Sequence, residues 1–454
     1  MMARPRKNAA ASRASLLPES APLPEIPVQE QPYPLPEGWK WVRLGDCNHY
    51  AGETINPALF QEDIFELYSV PSCITGYPEI LSGKEIGSSK QSVELGDVLL
   101  CKINPRINRV WRVVGYTANR LAASSEWIVF RNKDISSKYI MLCMQSAYFR
   151  EYMLSNVSGV GGSLMRAQPK HVRRYPIPLP PREEQERIVG HIESLFARLD
   201  EARQKAEAVR DSVALRRAAI LHKAFTGELT AKWREEQGIS KESWEEKDFA
   251  HIITNIEAGK NIRCEERPPH ENEVGIIKVS AVTWGFFNEM ESKTCPDASL
   301  YNENIQIKRG DFLFSRANTI QLVGNCVIVE NITKKLMLSD KILRFSIDRC
   351  TLKNYLLFFS MSEQYRRQIE NAASGNQDGM RNISQKKLLG LTIPLPTLPE
   401  QREIVRILDD LLGREQRLRE AADAVVAHIE RMKKAILARA FRGELGRADC
   451  PSRP

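Results

Sequence analysis

The sequence predicts an α+β protein. Two globular mixed α/β modules are joined by two long antiparallel coiled-coil helices in a tandem pseudo-two-fold repeat. Three observations lead there. The chain has 454 residues, which at roughly 150 residues per domain allows two to four domains. It matches itself at a nearly constant offset. Each copy of the best-matching block carries apolar residues at the 3.5-residue period of a coiled-coil seam.

The repeat organises everything else. At an offset of 216 residues, Ile177-Pro178-Leu179-Pro180 falls on Ile393-Pro394-Leu395-Pro396, Glu184-Gln185 on Glu400-Gln401, and Ile188-Val189 on Ile404-Val405. The same offset sets Ala224-Phe225-Thr226-Gly227-Glu228-Leu229 on Ala440-Phe441-Arg442-Gly443-Glu444-Leu445. Upstream the match thins: Leu95-Gly96-Asp97-Val98-Leu99 resembles Arg309-Gly310-Asp311-Phe312-Leu313, and Met165-Arg166 echoes Met380-Arg381. A variable module followed by a common module therefore occurs twice.

The opening segment, 1–36, holds eight of the 25 prolines and almost no periodicity, so it reads as a disordered Pro-rich tail. Residues 37–176 form the first variable module and 244–393 the second, each large enough for its own core. Val93–Leu100 and Asp311–Phe314 read as strands entered through a Gly-Asp turn. Runs beginning at Tyr139 and Tyr355 read as short helices that end near Ser158-Gly159 and Ser374-Gly375.

The common modules, 177–229 and 394–445, are long helices. Ile188, Ile192, Leu195, Leu199, Ala202, Ala206, Val209, Val213 and Ile220 form the first stripe, interrupted by Arg216. Ile404, Leu408, Leu411, Leu418, Ala422, Val425, Ile429, Met432 and Ile436 form the second, interrupted by Glu415. Pro180-Pro181 with Glu183-Glu184, and a capping box at Thr397-x-x-Glu400, mark the starts. Gly227 and Gly443 fit the left-handed position that ends a helix. Two separate helices, each packed on its own domain, would be the plainer arrangement. Neither stripe has an obvious partner elsewhere, however, so the two should pack on each other antiparallel. The pattern does not decide whether Arg216 and Glu415 meet across the seam. Residues 230–243 read as a polar linker and 446–454 as a C-terminal tail.

Composition narrows the function classes. Lys and Arg number 65 against 57 acids, a net charge of +8, which permits nucleic-acid binding without requiring it. The nine cysteines include no Cys-x-x-Cys pair, arguing against a disulfide framework or a structural zinc site and for a reducing cytoplasm. No run approaches the roughly 18 apolar residues of a membrane span, and the basic start, Met1 to Lys7, leads into no apolar h-region. The chemistry-bearing patterns are missing too. Gly83-Lys84 is followed by Glu85 rather than Ser or Thr, Asn104-Pro105 by Arg106, and the seven His residues show no ligand spacing. Glu291-Ser292-Lys293 is a triplet that any charged chain produces. The pattern suggests a binder rather than a catalyst, with no metal site and no cofactor of its own.

The basic residues are better organised. Lys102, Arg106, Arg109, Arg112 and Arg120 fall in an acid-free stretch from Val98 to Ser125, with Asn104 and Asn108 among them. Arg316, Asn318 and Gln321 occupy the equivalent place in the second half. A second group precedes each helix: Arg166, Lys170, His171, Arg173 and Arg174, then Arg381, Lys386 and Lys387. Arg and Asn make bidentate contacts with guanine and adenine edges, while Lys mostly anchors phosphate. A solvated face is the alternative for either cluster, but recurrence at matching places favours a DNA interface.

This layout resembles the specificity subunit of type I restriction-modification enzymes, HsdS. The residues that carry the resemblance are Pro178 to Gln185 with Ala224 to Leu229, and Pro394 to Gln401 with Ala440 to Leu445. It spans the chain from about Pro36 to Leu445. It implies that 37–176 and 244–393 are target recognition domains, each reading one half of an interrupted, asymmetric site in double-stranded DNA. The helices would set the gap and dock two modification subunits through Glu184, Gln185, Phe225, Gly227, Glu228, Leu229, Glu400, Gln401, Phe441, Gly443, Glu444 and Leu445. S-adenosylmethionine would sit on the methyltransferase subunits, and ATP and Mg on two restriction subunits. This chain would carry no catalytic residues and would be cytoplasmic. Two other readings fit the same layout: the recognition subunit of a related non-type-I restriction-modification enzyme, and a coiled-coil scaffold that binds proteins.

Overall fold

The structure is a computed structural model, and it describes residues 23–155, 157–158, 165–377 and 380–445. The chain divides into two compact units, one of residues 1–205 with 425–454, the other of residues 206–424. The division cuts both long helices. Each unit thus holds one variable module, the near half of one helix and the far half of the other.

In the first unit, strand Lys40–Arg43 pairs antiparallel with Pro176–Leu179, joining the two ends of the module. Between them lie a three-stranded sheet, with Val98–Cys101 at its centre between Val110–Arg112 and Trp127–Phe130, and a five-stranded sheet around Ile64–Tyr68. The second unit repeats the plan. Glu245–Asp248 pairs with Thr392–Leu395, Phe312–Ser315 lies inside a four-stranded sheet, and Val274–Ile277 centres a three-stranded one.

The Gly-Asp turns do enter strands, and an arginine explains why. Asp97 accepts from the Glu94 N–H and pairs with Arg131 through two bonds of 2.8 Å. Asp311 accepts from the Lys308 N–H and pairs with Arg344 at 3.0 Å. Each carboxylate ties its turn to a neighbouring strand. The helical runs break into two pieces, Ser137–Gln145 with Ala147–Ser155, and Lys353–Phe359 with Glu363–Ala372. The breaks fall at Ser146 and Ser362, whose hydroxyls accept from Phe149 N and Tyr365 N and so start new helices. Of the expected end marks, Gly159 lies outside the described residues.

The long helices are Arg182–Phe225 and Leu398–Phe441, 44 residues each, or about 66 Å at 1.5 Å per residue. Gly227 and Gly443 end them at φ +82° and +71°. The Leu229 N–H closes back to Lys223 O, and the Glu444 N–H to Arg439 O, both at 2.9 Å. In the first unit Asp200 pairs with Lys433 and Arg203 with Glu430, so residue numbers rise on one helix as they fall on the other. In the second unit Arg216 meets Glu415 at 2.8 Å. The pairing is antiparallel in both.

Several expectations need correction. Residues 23–36 are not a bare tail: Ile26 is buried, its N–H bonds Trp41 O, and the Tyr33 hydroxyl donates to Phe441 O at 3.0 Å. Apolar anchors at Ile26 and Tyr33 outweigh the proline content there, while 1–22 and 446–454 lie outside the described residues. The segment 230–243 is not a plain linker, since it forms helix Ala231–Gln237 with Arg234 buried. Glu400 closes no capping box, because Arg234, Thr230 and Trp244 take its carboxylate. The seam is also narrower than its heptads. Ile188, Ile192, Val213, Ile404, Leu408, Ala422 and Ile429 are buried, whereas Ala202, Leu418 and Val425 are exposed. A two-helix pair covers one stripe only, and ion pairs stand beside these open positions.

Candidate nucleic-acid interface

The two basic groups of each module converge on one strand edge. In the first unit the chain leaves strand Val98–Cys101 through Lys102, Ile103 and Asn104, and Met165–Ala167 runs antiparallel beside it. Asn104 N donates to Met165 O and Ala167 N to Lys102 O, both at 2.8 Å. Helix Pro169–Val172 follows at once, bringing Lys170 and then Arg173 and Arg174, all exposed. The second unit repeats the construction. Ala317–Asn318 pairs with Met380–Asn382, Ile383 N donates to Arg316 O at 3.0 Å, and helix Gln385–Leu389 carries exposed Lys386 and Lys387. Segments about 60 residues apart in the chain thus form one basic ridge per unit.

The repeat is out of register by one residue at this edge. Arg166 bridges to Ile103, while Arg381 lies opposite Asn318. Side chains directly opposite in an antiparallel pair share a face, and a one-residue slip exchanges faces. Taking Asn104 as the counterpart of Asn318, Arg166 lies on the other face from Asn104, whereas Arg381 shares the face of Asn318. The Met-Arg dipeptides that align in sequence are therefore not equivalent in space.

Partners sort the cations. The Lys102 ammonium donates to Ser125 O at 2.6 Å, and Arg166 meets Glu126 at 3.2 Å. Arg381 donates to Gly375 O at 2.6 Å and Lys387 to Ala372 O at 3.0 Å. The Asn108 amide donates to Met144 O, and the Asn318 amide oxygen accepts from Thr319 N. Arg316 and Arg109 are half-buried. Burial pushes the thiols of Cys73 and Cys101 up, with the Arg109 guanidinium pulling the other way. Arg106, Gln321 and Lys386 point outward.

Two expected residues do not join the ridge. Arg112 pairs with Val98, at the opposite end of the strand from Lys102, and donates to Ser137 Oγ at 2.9 Å. Arg120 belongs to the five-stranded sheet, where it pairs with Asp63 at 2.9 Å and covers the Phe60 ring at 4.2 Å. An acid-free stretch in sequence spans two sheets, so its charges part company. Sequence reasoning also missed Arg150 and Arg366, which hold the turns at the ridge tips. Their spacing is the repeat offset itself, so comparing arginines at that offset would have found them.

Most residues expected to dock partners face inward. Gln185 accepts from Ser136 N and donates to Pro180 O; Gln401 accepts from Leu352 N and donates to Cys350 O and Pro396 O. Phe441 packs edge-on against Tyr139, and Phe225 against Tyr355. These tyrosines donate to the carbonyls of Pro178 and Pro394. The end of each long helix thus locks onto the module that the other helix begins from. Glu400, Gly227 and Leu445 are buried, and Leu229 and Gly443 half-buried. Glu228 and Glu444 are exposed, and Glu184, half-buried, pairs with Arg187 at 2.7 Å. The motif is repeated because it builds the junction between helix end and module.

A duplicated chain with one basic strand-edge ridge per unit has the make-up of a nucleic-acid-binding protein. Among the described residues no group of His, Cys, Asp and Glu could hold a metal, and no helix is long and apolar enough to cross a membrane. Residues 244–422 match the family described as type I restriction modification DNA specificity domain. The type I restriction enzyme EcoEI specificity subunit of Escherichia coli is 26% identical, over 86% of this chain and 80% of that one. The fold is that of the HsdS subunit from Thermoanaerobacter tengcongensis, with TM-score 0.58 and 22% identity over 92% of this chain and 100% of that one. A chain solved for the complex assembly and conformational transition of the type I R-M system gives TM-score 0.73 and 21% identity, over 91% and 100%. The chain is thus similar to type I restriction-modification specificity subunits, in sequence over most of its length and in fold.

Proposed function

We propose that this chain is the DNA sequence-recognition subunit of a type I restriction-modification complex. Each module reads one half of an interrupted asymmetric site, and specificity rather than catalysis is its share of the work. The observation that carries this is the convergence of two basic segments on the same strand edge in both units. Lys170, Arg173, Arg174 and Lys386 suit phosphate anchoring, and the turns beside them suit base readout. The exposed Glu228 and Glu444 and the surface of the paired helices remain for docking two modification subunits, which would hold S-adenosylmethionine. Two restriction subunits would supply ATP- and Mg-dependent translocation and cleavage. Such a complex works in the cytoplasm.

The test is sequencing of N6-methyladenine in the host genome with and without this gene. One interrupted motif with two unlike halves should lose its methylation on disruption; a methylome unchanged in cells that express the modification subunit refutes the reading. The spacer role has its own test. Removing one heptad from the middle of each long helix keeps the seam in phase and shortens it by about 10 Å. The preferred gap should shrink by about three base pairs at 3.4 Å each; an unchanged gap refutes the ruler.

A further inference from the structure

The ridge tips carry the same backbone device in both units, built from unlike side chains. In the first unit Asn104 to Ile107 form a tight turn, closed by Ile107 N–H to Asn104 O at 3.0 Å. Asn104 sits at φ +44°, the one non-glycine residue with positive φ among the described residues, so the surroundings hold the turn against its local preference. Behind the tip, the Arg150 guanidinium donates to Arg106 O. The Asn108 amide braces the same turn on Met144 O at 3.0 Å. The Arg106 side chain is exposed.

In the second unit the turn is Thr319 to Leu322, closed by Leu322 N–H to Thr319 O at 3.0 Å. Here Arg366 donates to Gln321 O at 3.3 Å and to Val323 O at 2.8 Å. Gln321 is exposed in turn. Arg150 and Arg366 stand one repeat apart, each four residues after the serine that begins its helix. Two homologous arginines therefore fix the main-chain carbonyl of the tip residue and leave its side chain outward.

We infer that Arg106 and Gln321 are the base-reading side chains of the two half-sites, Arg106 for a guanine and Gln321 for an adenine. Arg150 and Arg366 are the positioning residues behind them. This rests on the DNA-recognition reading above and adds the chemistry of the bases. A guanidinium fork matches guanine O6 and N7, and a carboxamide matches adenine N6 and N7, in the major groove. Readout of that kind needs a reader held within a fraction of an ångström, which a clamped carbonyl supplies and a free loop does not. Four other cations are spent differently: Lys102, Arg112, Arg120 and Arg166 are held by protein groups. One device with unlike tips also yields unlike half-sites.

The experiment uses the full chain with its modification subunits and S-adenosylmethionine, acting on a random-sequence DNA library read for N6-methyladenine. Arg106→Ala should relax one guanine position in one half-site by roughly 5- to 150-fold and leave the other half-site intact. Gln321→Ala should relax one adenine position in the other half. Arg150→Ala should relax the same guanine position as Arg106→Ala, with Arg150→Lys restoring part of the discrimination. If the wild-type complex methylates no motif, the recognition reading itself fails. If it methylates a motif that both tip variants leave unchanged, or if relaxation falls on other bases, only this inference is overturned.

Should Arg106→Ala abolish methylation, wild-type binding to duplexes with 7-deazaguanine at each guanine of the half-site decides. One N7 whose loss weakens binding by a similar factor supports the assignment. No N7 that matters overturns it.

Discussion

The two junctions where the long helices begin use the same dipeptide and resolve it differently. Gln185 and Gln401 are interchangeable: each accepts a backbone N–H from the start of a short helix and donates to a proline carbonyl five residues back. Their glutamate neighbours are not. Glu400 is fully buried, with Arg234 and Thr230 on one oxygen and Trp244 on the other at 2.9 Å. Glu184 is near the surface, paired with Arg187 one turn on. The cause is what covers each junction. In the second unit, Arg234 and Lys241 stand against Gly227; in the first, the residue against Gly443 is Pro36, with Tyr33 bonded to Phe441 O nearby. A contact made within the repeat is kept in both copies. A contact made to a segment outside the repeat diverges.

The largest expected effect tests the unlike pair. Glu400→Ala leaves Arg234 buried without its carboxylate, which should cost about 3–5 kcal/mol. Glu184→Ala should stay within about 1 kcal/mol, as for other exposed pairs. Urea midpoints of the two variants would check this, and equal losses would break the comparison. Next come the like pair: Gln185→Ala and Gln401→Ala each strand a backbone N–H, buried at Ser136 and half-buried at Leu352, and should cost roughly 1–3 kcal/mol apiece. A clear inequality in the same measurement would show that the covering segments reach the glutamines as well.

A third test separates the modules by pH. Glu66 lies fully buried on strand Ile64–Tyr68 of the five-stranded sheet, whereas Val274–Ile277 of the other unit, which likewise pairs one neighbour parallel and one antiparallel, has no acid. Burial alone would raise its carboxyl. Hydrogen bonds from Tyr68, Tyr116 and Thr117 to the charged form outweigh that and hold it below the usual range. A carboxyl lowered in the folded state contributes stability that is present above its unfolded value, near 4.3. That contribution disappears as pH falls through the folded value. Between pH 5 and 3, Glu66→Gln should flatten the decline of stability with pH; an unchanged slope would reassign it. The smallest effect is the seam pair. Arg216→Leu and Glu415→Leu should be non-additive in a double-mutant cycle, by less than any of the losses above, since the arginine is 41% exposed and water screens the pair.

Much of this architecture was legible because it is periodic or repeated. The helix bounds followed from heptads, prolines and the glycines at 227 and 443, since only local geometry decides where such a helix can start and stop. The antiparallel pairing followed from two stripes having no other partner, whereas the Arg216–Glu415 contact depended on the register of the seam and emerged only in the structure. The Gly-Asp turns were visible, though the Arg131 and Arg344 that justify them were not. The candidate interface was half legible: recurrence located both basic groups, but charge density could not separate Arg106, on a clamped turn, from Arg120, on another sheet.

By itself, then, the sequence determined the duplication, the two long helices and the region of the basic ridges. Each of these is written in spacing, and spacing survives without knowledge of neighbours. Only the tertiary structure decided that each helix end locks onto the module from which the other helix begins. It also decided that the repeated Gln and Phe face inward, that Glu400 needs Arg234, and that the Met-Arg dipeptides slip by one residue across a strand. Those outcomes depend on which segments meet, and on the need of every buried polar group for a partner at hydrogen-bond distance. No local pattern encodes that.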